Sequence, residues 1–342
     1  ERASEAAAPA PKAQLGTFGI DLAAMDASVK PGDDFYRYVN GTWIDTFQIP
    51  ADRARFGAFD MLSDQAEANV RTVLDELAAT PPAAGSVQRK VLDLYTSWMD
   101  EARIEARGLE PLQAELAEID ALASRTDLMR LIGRPDYASP IGLYISPDPK
   151  DPARYTVQIT QAGLGMPVRD YYFAEGERFG EYRDAYKTYV TRIFELLGDS
   201  DPAGSAEQVI QLETKLARVH WTREQARNVQ ATTNPADRAG LARMIPAVEW
   251  DVFLASAGLE GQQTFIVNET TALRDGARLL TSEPLPAWRK YLAFHLASDH
   301  AAYLPKAFDE AAFTFFQKTL RGVETQRERW KRGVALLNTS IG

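Results

Sequence analysis

Cysteine is absent from the 342 residues. That excludes cysteine nucleophiles, thiolate metal sites and disulfides together. It leaves the redox compartment open, since a cysteine-free chain can stay in reducing cytosol or be exported without bridges. Histidine is nearly as scarce: His220, His295 and His300 are the only three, so imidazole chemistry must use one of them. No run approaches the roughly 18 consecutive apolar residues that argue for a membrane span. Positive charge is in deficit, with 38 Lys and Arg against 48 Asp and Glu, a formal −10. Neutralising phosphate needs a basic surface, so the balance argues against a nucleic-acid partner and against an anionic membrane. What is present is ordinary globular composition, 45% hydrophobic and 25% charged, which rules out whole-chain disorder. At roughly 150 residues per domain the length predicts two domains or one large one.

The first fifteen residues, rich in Ala, Pro and charge, read as a disordered tail of the kind that follows a removed signal or lipid anchor, or as an ordinary frayed terminus. From Phe18 to Pro50 the chain is irregular and aromatic, a loop and then a short helical piece. Phe35, Tyr36, Tyr38 and Trp43 fall within nine residues there. Beyond Asp60 the helical period dominates. One stripe is Leu62, Ala66, Val70, Val73, Leu74 and Leu77. A second is Val87, Val91, Leu94, Tyr95 and Trp98 behind a Ser86 cap, and a third is Leu112, Leu116, Ile119 and Leu122. Thr126 is placed to cap a fourth helix ending near Gly133. Between Pro140 and Gly165 the period changes to two. Ile141–Ile145 and Tyr155–Ile159 read as a β-hairpin joined by a long loop, Ser146–Pro152. Helices resume with Tyr182, Tyr186, Tyr189, Ile193 and Leu197, stopping at Gly198. Ser205 with Gln208 forms a capping-box pattern, and Asn234-Pro235 a cap followed by a first-turn proline. Glu249–Ser256 reads as a short helix and Thr264–Val267 as a strand. Pro286–Tyr303 and Phe308–Leu337 read as two long helices. The expected fold is mainly α, a multi-helix lobe with a small β-hairpin behind an irregular N-terminal strap.

Self-contained chemistry is hard to find. His295 and His300 are five apart, which turns the second ring about 140° from the first on a helix. Two zinc ligands need a spacing of four to share a face. His295 falls on the face of Trp288 and Leu292 and reads as a core histidine rather than a ligand. His220 reads as a helix-end histidine favoured by the dipole rather than a catalyst. Asp33 and Asp34 precede the aromatic cluster as candidate caps. No nucleophile elbow, P-loop or dinucleotide fingerprint is present. The residues alone give a soluble, mostly helical protein without its own active site.

One segment is more specific. Pro31-Gly-Asp-Asp-Phe-Tyr-Arg-Tyr-Val-Asn-Gly-Thr-Trp43 resembles the opening signature of the neprilysin and endothelin-converting-enzyme family of zinc endopeptidases, whose bacterial members include oligopeptidase O. The resemblance continues through Ile49-Pro50 and Arg55-Phe-Gly-Ala-Phe-Asp60. It returns at Gly163-Leu-Gly-Met-Pro-Val-Arg-Asp-Tyr-Tyr172 and at Trp330-Lys-Arg-Gly-Val-Ala-Leu-Leu-Asn338. It implies a tail over residues 1–17, a strap over 18–60 that docks on a catalytic lobe, and a helical capping lobe over 61–342. Zinc, in such enzymes, is held by H-E-x-x-H and a downstream glutamate. H-E-x-x-H does not occur here, so no catalytic and no metal-ligating residue is expected in this sequence, and zinc is expected to be held by the catalytic half. The implied partners are a complementary C-terminal catalytic polypeptide carrying H-E-x-x-H and oligopeptide substrates, with no nucleic acid and no membrane span. With the linker-like tail, the resemblance implies a periplasmic or secreted location, and the missing cysteines, against disulfide-rich extracellular animal relatives, imply a bacterial member.

The resemblance carries three residues over as substrate-binding. Arg55 matches an arginine that reaches the C-terminal side of a bound peptide, where its fork suits a carboxylate or carbonyl. Phe59 matches an aromatic wall of the pocket for the residue after the cleaved bond. Asp60 matches an aspartate that orients the neighbouring arginine. A second arginine of the mammalian pattern is replaced here by Ser63. Bland roles compete with each: an Arg55–Asp60 surface pair, a core Phe59, an N-cap at Asp60. Arg169-Asp170-Tyr171-Tyr172 reads as a structural turn with a salt bridge and buried phenols. The expected function is the N-terminal, non-zinc-binding part of a zinc endopeptidase, capping its cleft and inactive alone. The alternative is a stand-alone helical module that binds peptides or proteins without hydrolysis.

Overall fold

The computed structural model describes residues 21–341; the tail expected over 1–17 and the first residues of the strap lie outside the described residues. The chain divides into two compact units, the first ending at Met61 and the second beginning at Leu62.

The first unit is built around helix α1 (Phe35–Thr46). Asp34 caps it, its side chain accepting from the Arg37 N–H at 2.9 Å, so one of the two aspartates singled out by sequence does cap the helix. The segment before α1 folds back along it. Thr42 Oγ1 donates to the Met25 carbonyl at 2.7 Å, and the Asp26 N–H donates to Tyr38 O at 2.9 Å. A Cβ at Gly41 would meet Asp26 Cβ at 2.5 Å, so only glycine allows this crossing. After α1 the rings of Trp43, Phe47 and Phe56 stack with centroids 4.7 and 4.6 Å apart. Among the described residues of this unit Gly41 alone is buried.

Helix α2 (Ala58–Ala79) follows, then in the second unit α3 (Val87–Met99), α4 (Glu101–Arg107), α5 (Gln113–Asp120) and α6 (Arg125–Ile132). Strands β1 (Ile141–Asp148) and β2 (Asp151–Gln161) come next, then α7 (Glu177–Leu196), α8 (Pro202–Val219), α9 (Arg223–Ala226), β3 (Asn234–Asp237), α10 (Arg238–Met244) and α11 (Trp250–Ser256). Strand β4 (Thr264–Val267) precedes α12 (Thr270–Ser282), α13 (Leu285–Asp299), α14 (Lys306–Ala312) and α15 (Arg329–Ser340). The fold is mainly α, as expected, and the hairpin is half of a four-stranded sheet ordered β1-β2-β4-β3. One core runs through α7, α8 and α13. Tyr186, Val190, Ile193, Leu216, Trp288 and Tyr291 in it are wholly buried. A second, small core joins α2, α3 and α15 through Leu74, Val334 and Leu337.

Several boundaries differ from expectation for local reasons. The α2 stripe buries only Leu74. Ser124, not Thr126, caps α6, because Asp127 completes a reciprocal capping box with it; Thr126 Oγ1 instead donates to Glu249 at 2.9 Å. The expected long loop of the hairpin is a two-residue turn, with Pro147 facing Tyr155 across the ladder. Proline is tolerated there because β1 is an edge strand, and β2 pairs with β4 only from Val157 onward. Thr156 and Gln158, between the apolar residues of β2, are buried as well, and β2 lies inside the sheet between β1 and β4. Helix α8 opens at Asp201-Pro202, earlier than the Ser205 box, whose hydroxyl is drawn to Asp199 at 2.9 Å. Asn234-Pro235 begins a strand rather than a helix, and Asp237 caps α10. The long helix expected over Phe308–Leu337 is broken after a π-helical stretch (Phe313–Thr319), where Gly322 turns left-handed at φ +73.

Candidate functional site

The three carried-over residues lie on the loop after α1 and the first turn of α2. Arg55 is exposed and makes no hydrogen bond or ion pair with a described residue. The competing surface pair with Asp60 therefore does not form. It is Arg53 that meets Asp60, at 3.8 Å, while also lying over the Phe56 ring, 5.3 Å from its centroid. Phe59 is 85% exposed and so is not a core residue. Asp60 sits inside the first turn of α2, where its charge suits the helix N-terminus, rather than capping it. Ser63 is four residues beyond Phe59 and shares its helix face. The sequence pattern does not single out Arg53, although Asp52-Arg-Ala-Arg55 offers two arginines to any aspartate nearby.

The histidines do not converge. His300 is held by its own helix, Nδ1 to the Leu296 carbonyl at 2.8 Å. His220 ends α8, but the dipole does not keep it charged. Burial, with Arg169 adding to it, pushes its pKa down to about 4 against a bond to Ala162. His295 is a core histidine, as expected. Its Nε2 lies 2.7 Å from Oε1 of Glu213, a wholly buried carboxylate. Tyr172 and Tyr186 both donate to the other oxygen of Glu213 at 2.7 Å. Burial, reinforced by that carboxylate, drives both phenols well above the usual tyrosine range. The Met166 N–H donates back to Tyr172 Oη at 3.0 Å. A Cβ at Gly165 would strike the Tyr186 hydroxyl. These contacts explain the Gly163–Tyr172 block: it threads glycine past one phenol and delivers another to Glu213. Glu213 itself is visible in the sequence only as a charge among Val209, Leu212 and Leu216 on the buried face of α8. The Arg169–Tyr172 turn is the structural element expected, with a 3.1 Å salt bridge to Asp170 and a buried Tyr172.

Residues 31–342 match the N-terminal model of Peptidase family M13, and the chain belongs to that family. It is 25% identical over 337 residues to Endothelin-converting enzyme 1 of Rattus norvegicus, covering 94% of this chain and 44% of that protein. It is 27% identical over 308 residues to Endothelin-converting enzyme-like 1 of Mus musculus, covering 84% of this chain and 40% of that one. The crystal structure of Mycobacterium tuberculosis zinc metalloprotease Zmp1 in complex with inhibitor superposes with a TM-score of 0.89 at 35% identity, over 95% of this chain and 50% of that one. PepO from Lactobacillus rhamnosis HN001 shares the fold, with a TM-score of 0.74 at 17% identity, over 91% of this chain and 50% of that one. The chain thus spans half or less of the length of these relatives. M13 is a family of zinc metalloendopeptidases, and the residues of this chain do not fit the metal: no group of three or more His, Asp or Glu that could hold an ion occurs among the described residues. No helix among them is long and apolar enough to cross a membrane.

Proposed function

We propose that this chain supplies the strap and the roof of a neprilysin-type zinc endopeptidase, with the metal and the hydrolytic groups held in the part of such enzymes that this sequence does not cover. In this reading residues 18–60 dock on the catalytic lobe, and residues 61–342 close over its cleft, admitting only oligopeptides and excluding bulk water. Arg55 would donate to the C-terminal side of the peptide, and Phe59 would wall the pocket for the residue after the scissile bond. Asp60 would act through Arg53, fixing the backbone that presents both. Export to a periplasmic or extracellular space belongs to the same reading.

The observation that carries the reading is Phe59. It is 85% exposed in the unit where Leu22, Phe35, Tyr36 and Ile49 also lie open, and Arg55 has no hydrogen-bond or ion-pair partner among the described residues; such a set of exposed apolar side chains supports a surface completed from outside. The experiment is to mix the chain with the polypeptide carrying H-E-x-x-H and follow an internally quenched peptide. Cleavage that needs both components, and that falls away as the substrate grows from a peptide into a folded protein, supports the reading. A mixture that neither co-purifies nor cleaves overturns it and favours the stand-alone binding module.

A further inference from the structure

A cavity of about 530 Å3 lies beside strand β1 in the second unit, and the strand next to it has an unused edge. The sheet order puts β1 outermost. On β2, Ile159 O accepts from the Asn268 N–H at 2.9 Å, and β2 runs parallel to β4 from Val157 to Ile159. The backbones of Val157 and Ile159 therefore face β4, and those of Thr156, Gln158 and Thr160 face β1. Their partners across the ladder are Ser146, Tyr144 and Gly142. Leu143 and Ile145 consequently turn their N–H and C=O groups outward, and neither finds a partner there among the described residues. The free stretch has defined ends. At one, the Ile141 N–H is taken by Ser139 Oγ at 3.1 Å; at the other, Pro147 has no N–H to offer. Such an edge is a template for one short extended strand.

The cavity walls are apolar, with Leu143, Ile145, Val157 and Phe253 among them, but His295 and Asp299 also line it, one turn apart on α13. His295 Nε2 lies 2.7 Å from Oε1 of Glu213, while Oε2 accepts from the two phenols, so the ring turns Nδ1 away from that carboxylate. That nitrogen has no hydrogen-bond partner among the described residues, on a side chain 8% exposed. Asp299 makes no hydrogen bond or ion pair among them either. The residue is exposed at the C-terminal end of α13. The one guanidinium on the wall, Arg134, is already matched twice, by Glu118 at 2.8 Å and Asp136 at 2.7 Å. Main-chain groups along the edge call for an extended polypeptide. The apolar walls call for an aliphatic stem, and the Asp299 carboxylate, without a partner among the described residues, calls for a cation at its tip.

We infer that the second unit binds an extended peptide along the free edge of β1, with a lysine or arginine side chain lowered into the cavity towards His295 and Asp299. The site lies wholly within residues 62–341 and stands whether or not the reading of Arg55 and Phe59 holds.

The test is fluorescence anisotropy with acetylated, amidated hexapeptides of alternating Val and Thr around one central residue. The lysine peptide binds saturably, while the norleucine peptide and a lysine peptide N-methylated along one edge each bind about tenfold or more weaker, a loss of about 1.4 kcal/mol. Asp299→Asn removes the preference for lysine over norleucine. Ile145→Pro removes one outward donor from an exposed edge position and abolishes lysine-peptide binding, with the melting curve of either variant unchanged. Acetyl-lysine amide, with the cation but no strand, competes only at large excess. No saturation at about 1 mM, equal binding of the norleucine or N-methylated peptide, or retained preference in a folded Asp299→Asn would overturn the proposal. It also fails if the Leu143 and Ile145 amides are protected from exchange by the catalytic polypeptide alone, since the edge then belongs to that interface.

Discussion

The two units bury their side chains very differently. The second holds a continuous core from Leu112 to Phe315, with Trp288, Tyr186 and Tyr291 wholly buried around a polar centre at Glu213. The first, over residues 21–61, buries one glycine. It keeps its shape through a cap, a backbone crossing at Gly41 and a three-ring stack, while Leu22, Phe35, Tyr36, Ile49 and Phe59 stay more than half exposed. A unit that small cannot remove enough apolar surface from water to hold itself by burial. The lesson is that the second unit is held by side-chain burial, and the first by a cap, a backbone crossing and ring stacking.

Perturbing the centre of the large unit should have the largest effect. Glu213→Ala leaves two buried phenols without their acceptor and His295 without its partner, and should destabilise the chain by about 3–5 kcal/mol in urea unfolding. A loss below about 1 kcal/mol would mean the network is not what organises that core. Acid should act next, through His220. The unfolded chain takes up its proton near pH 6.5 and the folded chain only near 4, so the folded state binds fewer protons between those values. Stability falls as pH drops through that window, by up to about 3 kcal/mol, and His220→Gln should flatten this part of the pH–stability curve. In the small unit the effects shrink. Asp34→Ala removes the α1 cap for about 1 kcal/mol, read as faster amide exchange at Arg37 with the global melting temperature little changed. Phe59→Ala and Arg55→Ala should shift stability by no more than about 0.5 kcal/mol, yet lower kcat/KM once the catalytic polypeptide is present. Stability loss from Phe59→Ala would erase the contrast between the units.

Much of this was legible where the signal is local. Ser86, Asp34 and Gly198 punctuate helices by their own chemistry, and the tyrosine stripe of α7 carries its period openly. The strand period at 141–145 and 155–159 was equally plain, although the extent of the hairpin depended on β1 having an edge on which Pro147 is harmless. What stayed hidden depends on distant partners. Thr126 loses the cap to Ser124 because Asp127 answers Ser124, and the helix after Asn234 is displaced because Asn234 Nδ2 reaches the Val267 carbonyl at 2.9 Å. For the candidate site, Phe59 and Arg55 could be named only by resemblance, since composition and period do not mark an exposed side chain for binding. The role of Arg53 needed the fold of the 47–57 loop, and that of Glu213 needed α7, α8 and α13 brought together.

The most direct measurement is hydrogen–deuterium exchange on the full chain, alone and with the polypeptide that carries H-E-x-x-H. The account predicts that amides in residues 35–61 slow markedly on addition while the core of α7, α8 and α13, already protected, does not change. Unchanged exchange across 35–61, with the two polypeptides demonstrably associated, would contradict it.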